Sequence, residues 1–148
     1  MMSTQGPVIV GYDGSQQADK ALEAAANHAR MYGTSLKIVT AYDDTPSSFA
    51  DGMFGISQID PEIIEASAQN AEDLVQKAQK KAQEIAPDIA VDTSVVVGRP
   101  SQALVEAAEN ASLIVVGAHG DTAWKRLLLG STSTEVIHHA GVPVLVIR

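Results

Sequence analysis

Leu113 to Ser131, LIVVGAHGDTAWKRLLLGS, is the stretch that decides the fold. Its first four residues are apolar without alternation, the pattern of a central parallel strand covered by helices on both faces. Gly117 follows at once; after two intervening residues comes Gly120, and after nine more Gly130 and Ser131. Ser131 to Ala140 then reads as a helix. Strand, glycine-bounded loop and helix start therefore follow one another directly. In an open parallel sheet, ligands sit outside the carboxyl ends of the strands, where the strand order reverses. Glycines let a backbone approach a ligand closely, and the first amides of a helix lack intrahelical partners while carrying its positive dipole end. Phosphate oxygens satisfy such amides. Ser131, Thr132 and Ser133 add hydroxyls at the same place. The pattern alone leaves open that Ser131 is only an N-cap and the glycines only turns.

Outward from this stretch, short apolar runs alternate with longer amphipathic ones, which predicts an α/β domain with one open five-stranded parallel sheet and helices on both faces. Pro7 to Tyr12 is the first strand, Asp13 to Ser15 a tight turn, and Ala18, Ala21, Leu22, Ala25 and Ala29 a helical stripe closed by Gly33. Ser35 to Tyr42 is the second strand. Asp43 to Asp60 has no sustained period and reads as a loop. Pro61 opens a long helix whose stripe, from Ile64 to Ile85, runs up to Pro87. Ile89 to Val97 is the third strand, Gly98 to Pro100 a turn, Ser101 to Asn110 a helix, and Val142 to Ile147 the fifth strand. Pro143 cannot donate to a ladder, so that strand starts there or lies at an edge.

The 148 residues carry 18 acidic against 10 basic side chains, a net charge of -8. That balance repels phosphate backbones, and no local basic patch offsets it, so no nucleic-acid partner is expected. There is no cysteine for a disulfide, a thiolate nucleophile or a cysteine-based zinc site. Met1 to Gly6 lacks a basic start followed by an apolar run, and no stretch approaches the ~20 apolar residues that span a bilayer. The expectation is one soluble, cytoplasmic domain over residues 1–148 with no membrane partner. Adjacent His138 and His139 point about 100° apart on a helix and cannot share one ion, so no metal site is expected. No Ser, His and Asp arrangement or carboxylate pair signals a hydrolase, so no catalytic residue is assigned.

Asp13 follows the first strand and would share a sheet edge with the Gly117 loop if strands one and four are neighbours. Its carboxylate is then placed to accept from ribose hydroxyls, although Asp-Gly-Ser is also a common turn and cap sequence.

Pro7 to Ser15 (PVIVGYDGS), Ile114 to Ser131 (IVVGAHGDTAWKRLLLGS) and Val142 to Ile147 (VPVLVI) resemble the universal stress protein family, in order and spacing over essentially the whole chain. The G-x2-G-x9-G-S spacing resembles that family's ATP-binding branch. The resemblance implies a Rossmann-like sheet with strand order 3-2-1-4-5 and ATP, with Mg2+ on its phosphates, as ligand. Carried over by position, Asp13 meets the ribose and the backbone of Ala41 the adenine edge. Gly117, His119, Gly120, Gly130, Ser131 and Thr132 surround ribose and phosphates, with Ser133 beside them. Tyr12, next to Asp13, and Val96 and Gly98, flanking the base, complete the set. Asp121 departs from the basic or neutral residue common after Gly120 and would repel a triphosphate unless a divalent cation bridges them or it points to solvent. Lys125 and Arg126 in the same loop either offset it or are solvated surface charge.

The implied activity is a nucleotide-dependent stress-response regulator with slow or no ATP turnover. A dimeric adaptor without nucleotide, or a receptor for another adenine nucleotide such as cyclic AMP, stands beside it. The last strand, Val142 to Ile147, has an unpaired edge and apolar side chains that look unsuited to water on a monomer. A homodimer through antiparallel pairing of that strand with its copy is therefore expected.

Overall fold

The computed structural model describes residues 6–42, 61–118 and 131–148. Its described elements run β1 (Val8–Gly11), α1 (Gln16–Tyr32), β2 (Leu36–Tyr42), α2 (Pro61–Ile85), β3 (Val91–Val97), α3 (Pro100–Ala107), β4 (Leu113–Gly117), α4 (Ser131–His139) and β5 (Val144–Ile147). The five strands form one sheet in the order β3-β2-β1-β4-β5, every pair parallel. Val8 of β1 pairs with Leu36 on one side and Leu113 on the other. The order thus reverses between β1 and β4, and the ends of those two strands open the crevice that such sheets offer a ligand.

Alternate residues of each strand face opposite layers. Val8 and Val10, Leu36 and Ile38, and Leu113 and Val115 bury against α1 and α2, through Leu22, Val75 and the alanines at 21, 25, 29, 78 and 82. Ile9, Val39, Ile114 and Val116 bury on the other face against Ala103 and Leu104 of α3 and Val136 of α4. The alanine stripe lets α1 lie close to the sheet, which matters below. Ser15 caps α1 by accepting from the Ala18 amide at 3.1 Å, and Gly33, at φ 68, ends it in the left-handed conformation glycine adopts without penalty.

Several predicted boundaries move. The ladder of β1 ends at Gly11, and β3 begins at Val91 rather than Ile89. Pro100 is the first residue of α3 rather than the end of a turn, since its missing N–H costs nothing in a first turn. That helix stops at Ala107, before Asn110, which sits at φ 69. β5 starts at Val144, because Pro143 supplies only its carbonyl, to the Ile114 amide at 2.9 Å. β5 is an edge strand, but its side chains are not left in water. All four are half-buried, Leu145 and Ile147 against the α1 layer and Val144 and Val146 against the α3 layer. What the edge leaves open is backbone.

Candidate functional site

A cavity of about 410 Å³ lies beyond the ends of β1 and β4. It is lined by Tyr12, Asp13, Ala41, Gly117, Ser131, Thr132 and Ser133 among the predicted site residues, and by Gly11, Ser15, Gln17, Leu104 and Ala118 among others. Residues more than a hundred positions apart are brought together there by the pairing of β1 with β4.

The turn after β1 is held from several sides. The Tyr12 amide donates to the Val39 carbonyl at 3.0 Å, and the buried Thr40 hydroxyl donates to the Tyr12 carbonyl at 2.9 Å. The Tyr12 phenol donates to Asp19 Oδ1 at 2.6 Å, and Lys81 of α2 donates to the same oxygen at 2.9 Å. Burial, then the hydrogen bond to Asp19, raise the Tyr12 phenol above its ordinary value. At Asp19 burial works the other way, but the bonds from Tyr12 and Lys81 and the lysine charge outweigh it and hold the carboxyl below its ordinary value. Gly14 takes φ 84, and a Cβ there would stand 2.9 Å from Leu74 Cδ2, so α2 crosses directly over the turn.

Asp13 is exposed at the mouth, and its Oδ1 accepts from the Ser15 amide at 2.9 Å. The turn role and the ligand role are therefore compatible: one carboxylate oxygen organises the helix start, and the other has lone pairs for a ligand. Opposite it, α4 begins with Ser131 exposed, Thr132 half-buried and Ser133 buried. The Ser133 hydroxyl donates to the Ala118 carbonyl at 3.3 Å, tying the start of α4 to the end of β4. Gly117 makes the crevice possible, because a Cβ on it would lie 3.0 Å from Gln17 Cβ and 3.1 Å from the Gln17 carbonyl atoms.

A second recess of about 420 Å³ adjoins the first, sharing Ala41, Pro100, Ser131 and Thr132 and adding Gly98, Arg99, Ser101 and Glu135. The Ser101 hydroxyl donates to Glu135, and Arg99 lies 3.5 Å from the same carboxylate, joining α3 to α4 across its floor. Gly98 is thus beside the cleft. Val96 pairs with Ala41 in the ladder, is half-buried on the α3 face and is not among the residues that line either recess. His119, Gly120 and Gly130, like Asp121, Trp124, Lys125 and Arg126, lie outside the described residues. Among the described residues no cluster of three or more His, Asp or Glu forms that could hold a metal ion. The sequence did not single out Gln17, Thr40 or the Ser101–Glu135 pair, and no local pattern marks them, since each acquires its partner only through the packing of elements.

Fold and cleft together define a doubly wound α/β protein with a cavity at the topological switch point between β1 and β4. The chain belongs to the universal stress protein family, whose sequence model matches residues 6–148. It is 35% identical over 144 residues to a universal stress protein of Mycobacterium tuberculosis, an alignment covering 96% of this chain and 45% of that protein. The chain thus spans about half the length of that relative. Among solved structures it resembles the universal stress protein UspA of Lactobacillus plantarum, at 26% identity and a TM-score of 0.75, covering 97% of this chain and 99% of that one. It also resembles a universal stress protein solved in complex with cyclic AMP, at 28% identity and a TM-score of 0.69, covering 99% and 98% of the two chains. No helix among the described residues is long and apolar enough to cross a membrane.

Proposed function

We propose that this chain is a nucleotide-responsive stress regulator that holds ATP in the cleft at the ends of β1 and β4 and acts through its occupied and empty states rather than through turnover. The observation that carries the reading is the convergence of Asp13, Gly117 and the start of α4 on one cavity of about 410 Å³. The parts fit the ligand chemically. The carboxylate of Asp13 accepts from ribose hydroxyls, and Ala41 offers backbone to the base edge. Gly117 lets the chain come close, and the hydroxyls of Ser131 and Thr132 stand with the first amides of α4 where phosphate oxygens are stabilised. Mg2+, bound with the nucleotide, neutralises phosphate charge. Among the described residues of the cleft Asp13 is the one carboxylate and its Oδ1 holds the Ser15 amide, so no general base is assigned there, and slow or absent hydrolysis is part of this reading.

The similar chain in complex with cyclic AMP supports an adenine nucleotide and favours that ligand as the second reading. Calorimetric titration with ATP and Mg2+, cyclic AMP and pyrophosphate, together with mass spectrometry of small molecules released on denaturation, separates the two. Heat and release with ATP uphold the first reading, with cyclic AMP alone the second, and with neither ligand the nucleotide reading is overturned.

The same reading includes a cytoplasmic homodimer through β5. Pro143 and Ile147 turn their carbonyls to β4. By strand alternation, Val144 and Val146 turn N–H and C=O outward, where an antiparallel copy satisfies them.

A further inference from the structure

Gln17 lies in the first turn of α1, lines the cleft and is pressed against Gly117. Its Oε1 is shielded from water and accepts no hydrogen bond, and it is the side-chain atom of which this is true among the described residues. An amide oxygen kept dry and unpaired is costly, and native proteins rarely tolerate one without a use for it. The missing partner is a hydrogen-bond donor. Of the parts of an adenine nucleotide, ionised phosphates have no donor to give, whereas the ribose has two hydroxyls and the base one amine. Asp13, four residues earlier in the turn that precedes α1 and lining the same cavity, is the acceptor proposed above for the sugar. The base lies toward Ala41, at the end of β2, on the far side of β1 from Gly117.

We infer that Gln17 is a second sugar reader: its Oε1 accepts from one of the two ribose hydroxyls, Asp13 takes the other, and the pair discriminates ribonucleotides from those lacking a hydroxyl. The terminal torsion of a glutamine is broad and soft, so turning Oε1 toward a hydroxyl in the cleft requires no backbone movement. This rests on the nucleotide reading above and adds which sugar the site selects.

The test measures the affinities of ATP, 2′-deoxy-ATP and 3′-deoxy-ATP, each with Mg2+, by calorimetry for wild type, Gln17→Met and Gln17→Glu. Methionine keeps the length of the side chain without an acceptor, and glutamate keeps the acceptor. Wild type is expected to prefer ATP over both deoxy ligands. In Gln17→Met the preference over one of them shrinks by about three- to tenfold, the worth of one ordinary hydrogen bond, while the preference over the other persists. Gln17→Glu retains both. Thermal melts without ligand give the independent control: a methionine variant at least as stable as wild type, with its discrimination reduced, supports a role toward the ligand. Wild-type binding with no preference among the three, or a Gln17→Met protein with unaltered ratios, overturns this inference alone. A wild type that binds none of the three overturns the nucleotide reading and this one with it.

Discussion

Replacing Gly117 by alanine tests the close approach on which the cleft depends. The new Cβ would stand 3.0 Å from Gln17 Cβ and 3.1 Å from its carbonyl carbon and oxygen, where carbon atoms prefer about 3.5–4.0 Å. These are backbone atoms and a Cβ, not the far end of a flexible side chain, so no rotamer change relieves them. The start of α1 and the end of β4 must separate by several tenths of an ångström. Each is anchored, α1 by its Ser15 cap and β4 by the Ala118 amide bonded to the Ile147 carbonyl at 2.7 Å. Overpacking of this kind costs about 1–3 kcal/mol, and trading glycine for alanine in a strand returns roughly 0.5–1 kcal/mol. A net loss centred at about 1 kcal/mol and reaching about 2.5 kcal/mol is expected, or a Tm lower by roughly 2–4 °C for each kcal/mol in a chain of this size. Gly141→Ala is the control, since nothing lies within 4 Å of a Cβ there and the residue is not among those with positive φ. Its unfolding midpoint should equal or slightly exceed that of wild type. Urea unfolding followed by circular dichroism decides. A Gly117→Ala protein as stable as wild type, with the same m-value, refutes the contact between α1 and β4 and with it the shape of the cleft.

Three further outcomes are expected. Asp13→Ala should weaken ATP by about 1.5–3 kcal/mol, the worth of hydrogen bonds to a charged group, and leave pyrophosphate nearly unchanged; equal losses in calorimetry would remove Asp13 from the sugar. Tyr12→Phe should flatten the acid limb of stability: Asp19 is held below its ordinary value when folded, so its contribution is complete above the ordinary carboxylate range and is lost as pH falls through the lower folded value. Removing the phenol donor brings the folded value back toward the unfolded one, and parallel wild-type and mutant unfolding curves from neutral to strongly acid pH would contradict the bond. Val146→Pro should make the protein monomeric in sedimentation equilibrium without unfolding it, because the N–H it removes points away from β4; a dimer that persists excludes pairing through β5.

The alternation of elements was legible because burial writes its pattern locally: a period of about 3.6 in the alanine stripe of α1, and unbroken apolar runs in Val8–Val10 and Leu113–Val116, strands covered on both faces. The end of the sheet where the cavity lies was legible for the same reason, since the end of β4 at Gly117 and the start of α4 at Ser131 are close in sequence as well as in space. The strand order came from resemblance rather than from pattern, because hydrophobic period says which face is buried and not which strand lies beside it. Where the reading slipped, a local rule met a tertiary one. The apolar run of β5 looked stranded in water until α1 and α4 proved to lie against it, with Leu145 and Ile147 on one face and Val144 and Val146 on the other. Partners far apart in the chain belong to the structure alone. Lys81 reaches Asp19 across 62 residues, Ser101 meets Glu135 across 34, and Gln17 lies against Gly117, because helix placement over the sheet, not the side chains' own chemistry, decides which polar atoms are brought within 3 Å of one another and which are left waiting for a donor.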